Sequence, residues 1–195
     1  MSDKIRTQRV LLRPVKPSDS GKITEIIHDP RIYRMVARIA PNQTKAQTLA
    51  WISTQDAGAA RNTDHVRAVE QDGELIGITG AHRQAAKSPF ELGYWLAPHA
   101  WGKGLMTEAA GALMEWLEHR GEQGFVSGYF ADNPASGRVL QKLGFKPKSI
   151  SSPVEAAQAV SRSGVRSMSS MVAPMGVTVA VGVMSGPRLL MASTR

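Results

Sequence analysis

The stretch ELGYWLAPHAWGKGLMTE, residues 91–108, decides how the rest of the chain is read. Extended back to Phe90, its first part is aromatic and apolar through Leu96, which suits a buried strand. Pro98 ends that run. Gly102 and Gly104 bracket Lys103, and strong helix formers follow from Met106 to Glu118. A strand that feeds a glycine turn opening a helix is a ready anion site. The first N–H groups of a helix have no internal partner, and the aligned peptide dipoles place partial positive charge beside them. A G-x-G turn alone is also met in ordinary strand-to-helix connections, so the reading rests on what surrounds it.

The 195 residues suit one domain, or one domain and a tail, and 42% hydrophobic content supports a real core. Cysteine is absent, which excludes a disulfide framework, a thiolate nucleophile and cysteine-ligated zinc. The five histidines show no metal-ligand spacing, so no metal is expected. The opening MSDKIRTQRV has no apolar core of a signal peptide, and no run reaches the roughly 18 apolar residues of a membrane span. A cytoplasmic protein is expected, with no membrane partner. The net charge of +8 raises nucleic acid as a partner, but the basic residues are scattered and form no dense block.

Working outward, Arg9–Arg13 reads as a strand closed by Pro14, and Asp19–His28 as an amphipathic helix. A short helical piece follows over Arg31–Arg38. Thr44 then caps a longer helix ending near Gly58. His65–Gln71 and Glu74–His82 form a hairpin about Asp72-Gly73, with Val66 and Ala68 on one face and Arg67 and Val69 on the other. The small residues Gly77, Gly80 and Ala81 leave room for close approach. After the long helix, Phe125–Phe130 reads as a strand. Asp132-Asn133-Pro134 starts a last helix that stops at Gly144, and Phe145–Pro147 is extended.

Four pieces in this order resemble the GNAT N-acetyltransferases, in particular their Rim-type branch of ribosomal-protein N-terminal acetyltransferases. They are TQRVLLRPVKPSD (7–19), HVRAVEQDGELIGITG (65–80), ELGYWLAPHAWGKGLMTEAAGALMEW (91–116) and DNPASGRVLQKLGF (132–145). The resemblance implies an α/β (α+β) GNAT fold, a mixed, mostly antiparallel sheet flanked by helices, over residues 7–150. It implies acetyl-CoA as cosubstrate and a primary amine as acceptor, either a protein N-terminus or a small-molecule amine. Monomer and homodimer are both compatible with it.

Carried over by position, the resemblance assigns the cofactor pyrophosphate to the turn Trp101, Gly102, Lys103, Gly104, Leu105 and Met106, with Thr107. Leu96 and Ala97 would bond the pantetheine arm as an added strand does. Asn133 and Ser136 match the family's polar pair beside the thioester. Trp101 and Met106 depart from the residues most frequent at those turn positions. The acceptor amine must lose a proton to attack the thioester, and the departing thiolate must be stabilised. Glu91 is the candidate base, acting through water; its plain alternative is a solvated carboxylate at a strand end. Ser136 is the candidate donor to the thiolate, or else a first-turn helix hydroxyl. Tyr129 is the rival donor, or packs. His82 either lines the acceptor pocket or is a surface histidine. Tyr94, Trp95 and Trp101 either border the pantetheine or pack.

From Ser151 the composition changes: Glu155 is the one acidic residue left, lysine is absent and four arginines remain. The family's closing strand is not legible there. Residues 151–195 are expected to be a divergent tail or a frame-shifted reading of the ancestral end, with Met171–Met184 forming loose strands or no regular structure. Two other classes stay open. A non-catalytic acyl-CoA-binding module would keep the turn without the base and donor, and a nucleic-acid-binding protein would need a clustered basic face.

Overall fold

The computed structural model describes residues 3–36, 38–147 and 168–172. Its strands are β1 (Ile5–Arg6), β2 (Leu11–Pro14), β3 (Asp64–Gln71), β4 (Glu74–His82), β5 (Phe90–Leu96), β6 (Phe125–Phe130), β7 (Lys146–Pro147) and β8 (Met168–Val172). Its α-helices are α1 (Ser20–Ile27), α2 (Pro30–Tyr33), α3 (Lys45–Ser53), α4 (Gln55–Ala60), α5 (Leu105–Glu118) and α6 (Pro134–Lys142). The strands form one eight-stranded sheet in the order β1-β2-β3-β4-β5-β6-β8-β7. Neighbours are antiparallel except β5 and β6, which run parallel.

The period of two along the central hairpin builds a core on each face. Val66, Ala68 and Ile78 pack beneath α1 to α3 with Ile23, Ile27, Ile32 and Ile52. Val69, Ile76 and Ala81 turn the other way, beneath α5, whose Leu105, Ala109, Leu113 and Leu117 are buried at helical spacing. Arg67 shares that second face and is itself buried, its guanidinium 4.8 Å from the Trp116 ring.

One irregularity in β4 shapes the site. Val69 pairs with Gly77 but Glu70 pairs with Leu75, which leaves Ile76 as an extra, bulged residue. Its carbonyl accepts from the Ala97 N–H at 2.8 Å, just past β5. Only glycine fits at 77: a Cβ there would stand 2.3 Å from the Trp95 carbonyl oxygen.

Three elements differ from the sequence reading. The helix expected from Thr44 to Gly58 breaks at Thr54. There the Thr54 hydroxyl and the Gln55 amide both donate to the Trp51 carbonyl at 2.8 Å, competing with the helical ladder. The piece expected over Arg31–Arg38 is helical only through Tyr33. The tail supplies β8, which runs antiparallel to β6 from Val126↔Val172 to Phe130↔Met168 and also pairs with β7. The rest of 151–195, including Ala173–Met184, lies outside the described residues.

Beneath α5, His65 is 6% exposed, edge-on to Phe90 and Trp116 at 5.6 and 5.3 Å, with Nε2 2.6 Å from Asn62 Oδ1. Burial, then the nearby Arg67 charge, lowers its pKa to about 4. A lowered histidine pKa means that the unfolded chain binds more protons between that value and the ordinary one near 6.5. Stability therefore falls as pH drops through this window. Urea unfolding at pH 7 and pH 5 should show this histidine costing about 2 kcal/mol at the lower pH, a loss that His65→Gln removes. An equal pH dependence in both proteins would show that His65 does not carry it.

Candidate active site

The glycine turn is held open by its own backbone. Gly102 and Gly104 both sit at φ 75°, in the left-handed region where side chains are strained. Gly104 is the N-cap of α5 and offers no side chain to it. The first intrahelical bond from this end is donated by Glu108, to the Gly104 carbonyl at 3.1 Å. The N–H groups of Leu105, Met106 and Thr107 thus face the turn with no helical acceptor. Such a terminus suits a phosphate.

The N-terminal segment clamps this turn. Glu108 accepts from the Thr7 hydroxyl at 2.7 Å, the Arg9 N–H at 2.8 Å and Arg9 Nε at 2.6 Å. Arg9 Nη1 reaches on to the Lys103 carbonyl at 2.8 Å. The carboxylate at the helix start is thereby turned away from the cleft.

On the strand side, β5 pairs with β6 only at Phe90↔Phe125 and Glu91↔Val126. The alternation of the β4–β5 ladder sends the backbone groups of Leu92, Tyr94 and Leu96 toward the parting strands. Two bonds agree with that parity: the Ser127 hydroxyl donates to the Leu92 carbonyl at 2.7 Å, and Trp101 Nε1 to the Leu96 carbonyl at 2.6 Å. Ala97 is different, since its N–H bonds Ile76 and its carbonyl accepts from Ala100 at 2.9 Å. The edge open to an extended ligand is therefore at Tyr94 and the Leu96 N–H.

A cleft of about 490 Å³ joins these parts. Of the residues picked out by sequence, Leu96, Trp101, Gly102, Gly104, Met106, Thr107, Asn133 and Ser136 line it. Lys103 and Leu105 do not: Lys103 is exposed, and Leu105 is buried in the core beneath α5. Asn133 caps α6 by accepting from the Ser136 N–H at 3.3 Å. The Ser136 hydroxyl donates to Tyr94 Oη at 3.0 Å, and Tyr94 donates to the Ser136 carbonyl at 3.0 Å. Burial raises the Tyr94 pKa to about 12, against the pull of that hydrogen bond.

The sequence reading did not single out Tyr94 as half of this pair, nor the cations on the cleft walls. Arg31 and Arg34 come from one side, Arg138 and Lys142 from α6. Their i,i+3 and i,i+4 spacings were the available signal.

A second cavity, about 280 Å³, lies on the other side of Tyr94, Trp95 and Ser136 and shares them. Ile23, Ile27, Trp51 and Ile78 make it largely apolar, and Glu91 and His82 supply its polar wall. Burial raises the Glu91 pKa, opposed by Arg38, whose Nη2 is 3.9 Å away, and by His82. About a third of the Glu91 side chain remains exposed. Tyr129 also lines this cavity, its ring held so close to α6 that a Cβ on Gly137 would meet it at 2.7 Å.

A splayed sheet, an uncapped helix over a glycine turn and an adjoining apolar chamber suit a ligand with an extended arm and a phosphate. The model of the acetyltransferase (GNAT) domain matches residues 9–146, and the chain belongs to that family and is an acetyltransferase. It is 25% identical to YoaA, an uncharacterized N-acetyltransferase of Bacillus subtilis, over 153 residues, covering 75% of this chain and 84% of that one. Over 77 residues it is 34% identical to the ribosomal-protein-serine acetyltransferase of Escherichia coli, covering 38% of this chain and 43% of that protein. Its fold matches RimL, a ribosomal alpha-N-protein acetyltransferase, with TM-score 0.75 at 18% identity over 90% of this chain and 96% of that one. It also matches the microcin self-immunity acetyltransferase MccE, solved with acetyl-CoA and AMP. The TM-score is 0.71 at 15% identity, over 87% and 95% of the two chains.

A side chain at Gly104 would be strained by roughly 1–2 kcal/mol in the left-handed region and would reshape the turn. Gly104→Val should therefore weaken coenzyme A binding, by calorimetry, about tenfold or more, with circular dichroism unchanged. Equal affinity would remove the turn from the phosphate site.

Proposed function

We propose that this acetyltransferase moves the acetyl group of acetyl-CoA directly to a primary amine, a protein N-terminus or a small-molecule amine. The observation that carries the reading is the meeting of two cavities at Tyr94 and Ser136, one built for a phosphate-bearing arm and one apolar with a carboxylate. The pyrophosphate rests on the turn from Trp101 to Thr107, and the four cations of the cleft offset its charge. The pantetheine arm runs along Tyr94 and Leu96. The acceptor enters beside Glu91.

Glu91 takes the amine proton through a water, and its raised pKa makes it a better base than an exposed glutamate. Ser136 supports the departing thiolate by hydrogen bonding, with Tyr94 behind it. With no cysteine in the chain, no acyl-cysteine intermediate is drawn. A ribosomal protein N-terminus is one candidate acceptor, because relatives are named for that activity. A non-catalytic binding module has no use for a carboxylate in the second cavity.

On this reading the catalytic domain spans residues 7–150 and 151–195 is an atypical tail, divergent or frame-shifted; Met168–Val172 of that tail forms β8 of the sheet. A cytoplasmic setting suits the absence of cysteine. Among the described residues no helix is long and apolar enough to cross a membrane.

Thiol release from acetyl-CoA, measured across small amines and N-terminal peptides, tests the reading; acetyl-CoA binding with no turnover on any amine would favour the module instead. With an amine that turns over, Glu91→Gln should lower kcat about a hundredfold and leave the acetyl-CoA Kd within about twofold. Unchanged kcat would take Glu91 out of the mechanism.

A further inference from the structure

Asp64, His82 and Glu91 stand in one row across three strands. Asp64 is the register partner of His82 between β3 and β4, and His82 is the partner of Glu91 between β4 and β5. Directly opposed residues project from the same face, with Cβ atoms roughly 4.5–5.5 Å apart. The face is the one that carries the second cavity, where both His82 and Glu91 are wall residues.

The imidazole is oriented from behind. His82 Nδ1 lies 2.7 Å from Asp64 Oδ1, and the Thr63 hydroxyl donates to Asp64 Oδ2 at 2.7 Å. An ionised carboxylate only accepts, so the hydrogen is on Nδ1 and the neutral ring keeps its lone pair on Nε2. Nε2 is the nitrogen that lies over Gly80, 3.0 Å from where a Cβ would be, and Gly80 is itself a wall of the cavity. The glycine gives the ring its room.

We propose that His82, held by Asp64, is the proton exit of the active site: the proton taken from the acceptor amine at Glu91 passes through water in the shared cavity to His82 Nε2 and from there to bulk water. This rests on the amine-acetylation reading above. In the balanced step, the acceptor ammonium gives one proton through water to Glu91, and water in the shared cavity carries it on to His82. The neutral nitrogen forms the N–C bond, and the C–S bond breaks with its electron pair going to sulfur. The surplus proton on nitrogen goes to that sulfur. The imidazolium then returns its proton through the 23% of its side chain that is exposed. An imidazole can take the proton on from a carboxylate, because it is the stronger base of the two. The charged groups that face it are Asp64 from β3, Glu91 from β5 and, 3.9 Å from Glu91, Arg38 from the segment after α2.

His82 acts through Glu91 and is a positioning and relay residue, so its test uses readouts that a structural role leaves alone. In ¹⁵N-histidine NMR of the full chain, with His82 assigned by its loss in His82→Gln, the neutral ring should carry its hydrogen on Nδ1. Its titration midpoint should fall in Asp64→Asn and in Glu91→Gln, because each removes a negative charge. With an amine that turns over, kcat should rise with pH through that midpoint. His82→Gln should abolish this limb and lower the plateau about tenfold or more, with the acetyl-CoA Kd within about twofold. Asp64→Asn should move the limb to lower pH. A hydrogen on Nε2, a midpoint untouched by Glu91→Gln, or a wild-type limb in His82→Gln each overturns the proposal. Absence of thiol release with every amine overturns the acetyl-transfer reading itself, a failure the NMR midpoints keep separate from a failure of the row.

Discussion

The site depends on two strands that cease to pair. β5 and β6 are bonded at Phe90 and Glu91 and then part. Backbone groups left without a partner are costly unless something else satisfies them. The chain supplies partners at two points, the Ser127 hydroxyl for Leu92 and the Trp101 indole for Leu96. Between them the edge at Tyr94 is left for a ligand. The bond from Trp101 also explains why tryptophan can open the glycine turn: its indole ties the turn back to the strand it follows. The exposed ring, 5.6 Å from the Arg31 guanidinium, then extends the wall of the cleft.

A glycine turn with two left-handed residues would be loose if nothing held it. Here Arg9 and Thr7, nearly a hundred residues away in sequence, converge on Glu108 and the Lys103 carbonyl. The Arg9–Glu108 contact is partly exposed, and a single exposed ion pair contributes roughly 0–1 kcal/mol. Several bonds to one carboxylate restrict geometry more than they add stability. The result is a helix terminus whose N–H groups point at the cleft while its nearest acidic side chain points elsewhere. This is electrostatic preparation for an anion, and it explains how a glutamate in the first turn of α5 is compatible with a phosphate site.

What the sequence disclosed and what it hid divide along physical lines. The hairpin, β5, the turn and α6 were legible because glycine, proline and asparagine punctuate them and alternation marks their faces. The break at Thr54 was not, because a hydroxyl that competes for one carbonyl leaves no periodic trace. β8 was hidden because the serines and methionines of Met168–Val172 carry no strand pattern. In the site, single residues could be named but their pairings could not. His82 and Asp64 are 18 residues apart and meet only because the β3–β4 register sets them opposite. Tyr94 and Ser136 meet only because α6 returns over β5. Arg138 and Lys142 gain meaning once that helix is known to face the turn.

The shared wall of the two cavities constrains how the leaving group is handled. A tyrosine whose pKa is raised to about 12 keeps its proton across the neutral range and gives it up less readily than a thiol of ordinary pKa about 8.5. Full proton transfer from Tyr94 to a thiolate is therefore uphill by several powers of ten. Tyr94 is suited to holding the Ser136 hydroxyl in place, a bond whose release costs on the order of 1 kcal/mol and is outweighed by a charge-assisted bond to a developing thiolate. On the proposed reading Ser136 then stabilises charge on sulfur, while the proton that finally rests there comes from the attacking nitrogen. The two proton paths diverge from that nitrogen. One leads to sulfur at the Tyr94–Ser136 wall. The other leads through Glu91 to the carboxylate-backed imidazole across the sheet. The first proton must leave before the nitrogen can attack, and the second leaves only once the N–C bond has formed, so the two paths are used in turn and need not share a group.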